Sequence, residues 1–174
     1  MYYHEENQSK IMRIIIKIPF IFAGVFIGLL IARIFFTPYN LSHTSMEPNL
    51  LKNDKVIILK HVKPRIGDII LIESPIEPDK VLLKRIVAGA NDLVEIRNKV
   101  IYVNNKKMKW KWKTKSIDKQ NYPMTFTFRD NMPSNKLKRN EFFILGDNLD
   151  NGFDSRHFGK IKEESIIGKV IYKF

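Results

Sequence analysis

Ser45 is the residue whose surroundings first suggest chemistry. It lies in LSHTSMEPNL (41–50), a hydroxyl-rich loop with few charges that directly follows a long apolar run. A serine hydroxyl becomes an effective nucleophile only when a neighbouring base takes its proton. Ser45 is therefore either an activated nucleophile or a capping residue in a turn, and the choice depends on whether the chain offers it a base.

The base has to be a histidine or a lysine. The chain has four histidines and no G-x-S-x-G elbow, although Ser-His-Asp triads are recognised in space rather than by sequence position. A lysine acts as a base only when neutral, and apolar surroundings favour the neutral form. In VLLKRIV (81–87), a period of two puts Lys84 on one face with Leu82 and Ile86. Arg85 points the opposite way, towards a carboxylate partner. The pattern leaves open that Lys84 is a snorkelling or salt-bridged lysine.

A third stretch of interest, LGDNLDNGFDSRHFGKI (145–161), is dense in Gly, Asp and Asn. Counted from Asp147, the third and twelfth positions are Leu149 and Phe158, which excludes an EF-hand calcium loop. Asp154 and Arg156 are predicted to form an ion pair that holds a tight loop. A formal S-x-x-K at 116–119 lies in a polar stretch without companion motifs, and we attribute it to chance.

The elements that must position these residues are mostly β-strands. Short segments rich in Val, Ile and Tyr alternate with Gly, Pro, Asn and Asp, which predicts strands joined by turns. The predicted strands cover 55–60, 68–74, 80–88, 92–98, 99–105, 141–147 and 169–174. Asn104-Asn105 is expected to turn a hairpin. The expected fold class is mainly β, a multi-sheet or barrel-like fold.

The segment KKMKWKWKTK (106–115) alternates lysines with Met, Trp and Thr. One interpretation is nucleic-acid binding, with the aromatic rings stacked on bases. The interpretation we favour is a strand or ribbon with an apolar inner face and a solvated lysine face, because a stacking platform would place aromatics and cations on the same face. In a domain tethered to a membrane, the lysines are also available to anionic lipid.

Composition limits the kinds of site and partner that the chain can have. The 174 residues suggest one domain of ordinary size, and the absence of cysteine excludes disulfides, thiolate zinc sites and cysteine nucleophiles. The formal charge of +12 is compatible with nucleic acid or with an anionic membrane surface.

The N-terminal run IIIKIPFIFAGVFIGLLIARIFF (14–36) predicts a transmembrane helix. With its flanks it spans roughly 34 Å at 1.5 Å per residue, enough for a bilayer core of about 30 Å. It offers no small-x-small cleavage site and no polar face, which argues against a removed signal peptide and against a buried core helix. We expect a cytoplasmic tail (1–13), an anchor (14–36) and an extracytoplasmic catalytic domain (37–174) of a single-pass plasma-membrane protein.

Taken together, these segments resemble the type I signal peptidase (leader peptidase) family over nearly the whole chain. After the anchor, SMEPNL resembles the family's S-M-x-P-T-L box, with Asn49 where threonine is usual. IGDIILIE, LLKRIVAGAND and GDNLDNGFDSRHFG resemble the three boxes that follow, in the same order. The single anchor and short catalytic region resemble the compact form found in Gram-positive bacteria.

The resemblance implies a serine endopeptidase on a largely β fold that removes signal peptides from exported preproteins with small residues at −1 and −3. It implies Ser45 as nucleophile and Lys84 as general base, with no cofactor, metal or nucleic acid. The other residues that match the family's site as oxyanion-forming or supporting groups are His43, Met46, Arg85, Asp147, Asn148, Gly152, Asp154, Ser155 and Arg156.

Two positions depart from the family pattern. His43 stands where serine or glycine is typical, and Gly152 stands where a serine hydroxyl often orients the lysine. These departures motivate an alternative function, a catalytically weak, membrane-tethered protein that binds signal peptides. A less favoured alternative is a basic, membrane-associated nucleic-acid binder that uses the Trp/Lys segment.

Overall fold

The N-terminal helix is the first element of the computed structural model, which describes residues 2–174 and side chains from Ile15 onward. Helix α1 covers Tyr2–Phe35. Among the described residues, one helical stretch, Ile15–Phe35, is long and apolar enough to cross a membrane. The backbone of the expected tail (1–13) is helical from Tyr2, and its side chains lie outside the described part. The chain divides into two compact units, one ending at Thr37 and one beginning at Pro38.

The rest of the chain consists mainly of β-strands. In chain order they are β1 Phe36–Asn40, β2 Lys55–Lys60, β3 Ile69–Glu73, β4 Val81–Ala88, β5 Leu93–Arg97, β6 Val100–Val103, β7 Lys106–Lys107, β8 Met132–Lys136, β9 Glu141–Leu145, β10 Ile161–Lys162 and β11 Ile166–Lys173. A short helix α2, Ser155–Phe158, lies between β9 and β10, and a 3-10 turn, Glu163–Ser165, precedes β11.

These strands form two sheets. A seven-stranded sheet has the order β1-β2-β11-β3-β4-β9-β10, and a four-stranded sheet has the order β7-β6-β5-β8. The registered pairs are antiparallel, and β4 is central because β3 pairs on one side of it and β9 on the other. The expected mainly β, multi-sheet fold behind an N-terminal apolar helix is confirmed.

All seven predicted strands are present, with bounds that agree within three residues. Their β-branched side chains fill apolar clusters on both faces of the large sheet, where stiff χ1 angles favour a pleated backbone. Five short elements were not predicted from the sequence: β1, β8, β10, α2 and the 3-10 turn. The predicted hairpin at Asn104-Asn105 is confirmed, since both residues have positive φ and join β6 to the antiparallel β7.

In the segment predicted as a strand or ribbon (106–115), the regular strand ends at Lys107. One further hydrogen bond to β6 follows, from the Met108 N–H to the Ile101 carbonyl, and the chain bends at residues 111 and 112. The predicted division of faces still holds, because Met108, Trp110 and Trp112 pack against an apolar cluster while Lys107, Lys109, Lys111 and Lys113 are exposed. Burial of every second side chain therefore orders this segment without a regular hydrogen-bond ladder.

Candidate active site

The Ser45 loop (41–50) is held against the large sheet by its apolar side chains. Leu41, Met46 and Leu50 are buried in one cluster with residues of β2, β3 and β4. A turn of helix-like backbone follows Ser45, with the Leu50 N–H donating to the Met46 carbonyl at 3.0 Å. Met46 therefore fixes the loop from below, and the neighbouring Ser45 is left half-buried at its surface.

Lys84 lies in the middle of β4, opposite Ile70 of β3 in the strand register. Its side chain is 3% exposed. Leu82, Ile86 and Ile70 share one apolar cluster, as the alternation along the strand predicted. Within the described part of the chain no carboxylate lies within ion-pair distance of Lys84, so the structure does not support a salt-bridged or snorkelling lysine.

Ser45 and Lys84 meet although they belong to different elements. The Ser45 Oγ and the Lys84 Nζ are 2.7 Å apart and share a hydrogen bond. Burial lowers the pKa of Lys84 from 10.5 to about 8, Asp154 and Asp147 oppose that effect, and Arg156 adds to it. A lysine with this pKa is partly neutral near neutral pH, and in that form its nitrogen accepts the serine proton.

The closing loop (146–154) forms hydrogen bonds with the backbone carbonyls of Thr44 and Ser45. The Asn148 N–H donates to the Ser45 carbonyl at 3.0 Å, and the Asn148 side chain donates to the Thr44 carbonyl at 3.4 Å. A Cβ on Gly146 would lie 2.5 Å from the Ser45 carbonyl oxygen. Only glycine permits this approach, so the two loops are fitted together through the backbone.

Arg85 and Asp147 connect β4 to the closing loop on the face opposite Lys84. The Arg85 guanidinium donates to both Asp147 oxygens, at 2.8 and 2.6 Å, and to the Gly67 carbonyl at 2.8 Å. Its sequence-predicted carboxylate partner is therefore Asp147. Asn49 donates to the same carboxylate at 2.8 Å, which joins the Ser45 loop to this buried ion pair.

Asp154 and Arg156 form the predicted ion pair, and both are almost completely buried. The guanidinium donates to the two Asp154 oxygens at 2.8 Å each. Asp154 also accepts from the Gly146 N–H at 3.0 Å and caps the N-terminus of α2. Ser155, the next residue, accepts from the Ile144 N–H at 3.0 Å. The pair therefore ties both ends of the closing loop together beneath Lys84.

An Arg156→Met variant is expected to lose about 3–5 kcal/mol of folding stability, because it leaves the Asp154 carboxylate buried without its counter-charge. Chemical denaturation followed by fluorescence measures the loss. The control is Lys162→Met, which removes an exposed charge paired with exposed Glu164, and we expect a change within about 0.5 kcal/mol. Equal stabilities of the two variants would contradict a structural role for the buried pair.

A cleft of about 680 Å³ opens beside Ser45 and Lys84. Its walls carry bulky side chains from β1, β4 and the closing loop, among them Tyr39, Val81, Leu82 and Phe153. His43 is exposed and lines the cleft. The two candidate reactive groups thus lie in the wall of a cleft large enough for a peptide segment.

Gly152 is packed into the closing loop. A Cβ at this position would collide with the Asp154 carboxylate and lie 2.8 Å from the Arg156 guanidinium. The absence of a side chain therefore accommodates the buried ion pair. The hydrogen bond that Lys84 makes to a side chain in this structure is the one to Ser45.

One edge of β4 is open where it borders the cleft. Beyond Arg85, β4 pairs with β9, but in the described part of the chain no strand pairs with residues 81–83 on that side. The same residues line the cleft. Backbone N–H and C=O groups along an unpaired edge can bind an extended chain as an added strand.

Several contributors to the site were missed by the sequence analysis. Asn49 was treated as a mild departure, but it bridges Asp147 and the Lys113 carbonyl. Asn151 donates to the Thr44 hydroxyl at 3.2 Å, and its position in the stretch 145–161, dense in Gly, Asp and Asn, was the available signal. The Phe153 ring packs against the His157 ring in a tilted arrangement, with centroids 5.4 Å apart. The spacing of Phe153 and His157 in the sequence does not predict a role in the site, since their contact forms only when the closing loop is folded.

Comparison with known proteins identifies the family. Residues 12–174 match the family described as "Signal peptidase, peptidase S26". A signal peptidase IB from Staphylococcus aureus strain COL is 30% identical over 96% of this chain and 91% of its own length. The chain belongs to the signal peptidase family, peptidase S26. Membership makes it a type I signal peptidase, a serine peptidase that acts in signal-peptide removal.

Two further proteins are similar to part of the chain. The signal peptidase I V of Bacillus subtilis strain 168 is 29% identical over 78% of this chain and 83% of its own length. A crystal structure of a signal peptidase I from Enterococcus faecalis V583 has 24% identity and a TM-score of 0.48, over 64% of this chain and 98% of that one. Signal peptidase membership and the apolar N-terminal helix together indicate a membrane-anchored protein.

Proposed function

We propose that the chain is a Ser-Lys endopeptidase that cleaves signal peptides from exported preproteins after small residues at −1 and −3. The observation that carries the proposal is the 2.7 Å contact between Ser45 Oγ and a buried Lys84 Nζ. A serine paired with a lysine whose pKa is lowered to about 8 has the nucleophile and the base that acyl transfer requires.

In the acylation step, neutral Lys84 accepts the Ser45 proton while Oγ attacks the carbonyl carbon of the scissile bond. The oxyanion accepts a hydrogen bond from the Ser45 N–H, which in the described part of the chain donates to no protein acceptor. One such donor is worth about 2.7–4 kcal/mol in comparable sites. The protonated lysine then returns its proton to the leaving amine, and the signal peptide remains attached to Ser45 as an ester.

Deacylation uses the same base. Lys84 is neutral again once the amine has left, and it takes a proton from a water molecule that attacks the ester. The collapse of the second tetrahedral intermediate returns the proton to Ser45 Oγ. The buried pairs of Arg85 with Asp147 and of Arg156 with Asp154 hold the two reactive groups at hydrogen-bond distance through both steps.

The proposed preference for small residues has a geometric reason. A substrate paired with the open edge of β4 is extended, so its side chains at −1 and −3 point to the same side. Bulky walls, such as those formed by Leu82 and Phe153, leave room on that side for small side chains. The residue at −2 points the other way and is free of this restriction.

The anchor fits this function. We propose that residues 1–13 are cytoplasmic, that the span 14–36 crosses the plasma membrane once, and that the catalytic domain 37–174 is extracytoplasmic. About nine residues separate the span from Ser45, and fully extended they reach at most about 30 Å. The site therefore stays near the bilayer surface, where a substrate emerges beyond its own apolar segment.

The specificity is tested with a labelled preprotein that carries alanine at −1, −2 and −3. Replacing the −1 or −3 alanine with leucine is expected to lower kcat/KM about 10- to 100-fold, because the extra methylene groups overfill the cleft. The matched control is the same replacement at −2, which should change kcat/KM by less than about threefold. An equal loss at all three positions would contradict the extended binding mode.

A further inference from the structure

The lysine segment (residues 106–115) has no role in the proposed chemistry, and its structure points to a second interaction. Five of its lysines are exposed: Lys106, Lys107, Lys109, Lys111 and Lys113. The intervening Met108, Trp110 and Trp112 pack against the apolar cluster of the small sheet. Because Met108, Trp110 and Trp112 are directed inward, the four lysines that alternate with them are directed outward together: Lys107, Lys109, Lys111 and Lys113.

The segment is fixed in place along its length. The Met108 N–H donates to the Ile101 carbonyl at 2.8 Å, and the Lys113 carbonyl accepts from Asn49 at 2.7 Å. At its end, the Lys115 ammonium pairs with Glu47 at 2.7 Å. The last two contacts join the segment to the Ser45 loop, so a ligand held by these lysines would lie beside the catalytic loop.

The five exposed lysines have no counter-ions in the described part of the chain. The acidic groups nearest along these contacts have other partners. Glu47 pairs with Lys115, Asp147 pairs with Arg85, and Asp150 accepts hydrogen bonds from residues 116–118. A rigid, uncompensated positive surface attracts a ligand with many negative charges.

Between nucleic acid and an anionic bilayer, the arrangement favours the bilayer. The Trp112 ring lies under the Arg85 guanidinium, 4.6 Å from it, and Trp110 packs edge-on against Trp112 at 5.7 Å. Both rings are half-buried on the side away from the lysines, so they offer no platform for stacking bases. A membrane surface needs only the cations.

We propose that the lysine segment binds anionic phospholipid headgroups and holds the Ser45 loop close to the bilayer. The ligand is the phosphate-rich surface of the membrane in which the apolar helix is anchored. Each lysine near such a surface strengthens association roughly fivefold at physiological ionic strength. The four lysines on one side therefore keep the segment on an anionic bilayer and not on a zwitterionic one.

The two tryptophans of the chain, both within the lysine segment, provide the test. The full-length protein is reconstituted into phosphatidylcholine vesicles with or without phosphatidylglycerol, each containing a dansyl-headgroup lipid. Energy transfer from tryptophan to dansyl reports the distance of the segment from the surface. We expect transfer to be greater in the anionic vesicles and to fall to the zwitterionic level in high salt.

The matched variants differ only in which charges are removed. Replacing Lys107, Lys109, Lys111 and Lys113 with glutamine should abolish the gain in anionic vesicles. A control variant with the same loss of charge, at exposed Lys55, Lys63, Lys119 and Lys138, should keep it. Equal transfer in the two variants would overturn the proposal.

A second outcome would also overturn it. If the wild type shows no gain in anionic vesicles, but binds a labelled oligonucleotide that the segment variant has lost and the control retains, the segment is a nucleic-acid site. The fluorescence readout does not depend on catalysis. Its failure would therefore leave the proposed peptidase function untouched, and loss of preprotein cleavage would leave this proposal untouched.

Discussion

A Ser45→Ala variant is expected to lose preprotein cleavage by about 10⁴- to 10⁶-fold, the range seen when a nucleophile is removed from a catalytic unit. The loss falls on kcat, because alanine leaves the cleft and the open edge of β4 intact. The matched control is Ser116→Ala. Ser116 begins the chance S-x-x-K and has an exposed hydroxyl that bonds to Asp150, so its removal should leave cleavage unchanged. Single-turnover cleavage of a labelled preprotein measures both.

Acylation separates this function from signal-peptide binding without turnover. If the wild-type protein is quenched in acid during cleavage, mass spectrometry should find the signal peptide as an ester on Ser45. Undiminished preprotein cleavage by the Ser45→Ala variant would rule out the Ser-Lys mechanism. Tight preprotein binding with no product and no ester would instead establish the tethered binding protein suggested by His43 and Gly152.

A Lys84→Met variant is expected to be as inactive as Ser45→Ala, because methionine has a similar shape but accepts no proton. In the wild type, kcat/KM should rise about tenfold per pH unit below about pH 8 and level off above it, since neutral Lys84 is the proposed base. The control is Lys119→Met, in the chance motif, which should keep the wild-type profile. A flat profile between pH 6 and 9, a window chosen around that pKa, would rule out Lys84 as the base.

The same variant is expected to fold more stably at neutral pH. The pKa of Lys84 is about 8 in the folded protein against an ordinary value of 10.5, so the unfolded chain binds more protons between these values. Wild-type stability therefore rises with pH from about 8 to about 10.5, and below pH 8 the full penalty of about 3 kcal/mol applies. Losing the hydrogen bond to Ser45 offsets about 1 kcal/mol of the gain from methionine.

Denaturant unfolding at two pH values tests this expectation. Lys84→Met should exceed the wild type by about 2 kcal/mol at pH 7 and lose this advantage above pH 10.5, where the lysine is neutral in both states. A variant less stable than the wild type at pH 7 would show that Lys84 contributes mainly through packing. Activity and stability thus move in opposite directions at this residue.

Most of the strands could be predicted from local sequence patterns. Runs such as KVIILK and VLLKRIVA bury alternate or continuous β-branched side chains, so their strands were predictable without knowledge of their neighbours. Strands β1, β8 and β10 depend on pairing with distant segments, and MPSNK at β8 has no strand signature of its own. The lysine segment shows the opposite error. Its alternation of lysines with apolar residues favoured an extended strand or ribbon, but beyond Lys107 the alternation reflects burial of every second side chain and not a regular strand.

The candidate site was predictable in part. The apolar neighbours of Lys84 and the pairing of Asp154 with Arg156 followed from spacing. The meeting of Ser45 with Lys84 did not, because the two lie in different elements and only the family resemblance joined them. Asn49 could not be assigned, since its amide bridges groups brought together by three separate segments.

Pairing with the open edge of β4, as proposed above, would place a conformational demand on the substrate. A chain that pairs with this edge gives up its own helical hydrogen bonds, because the two states use the same backbone groups. In the proposed binding mode, signal segments whose helix continues up to the cleavage bond therefore have to unwind before they react. Glycine lowers the helix propensity at such a position by about 1 kcal/mol relative to alanine, and proline by about 3 kcal/mol. Selection among exported proteins would thus depend on how readily the few residues before the bond leave the helix, as well as on their size.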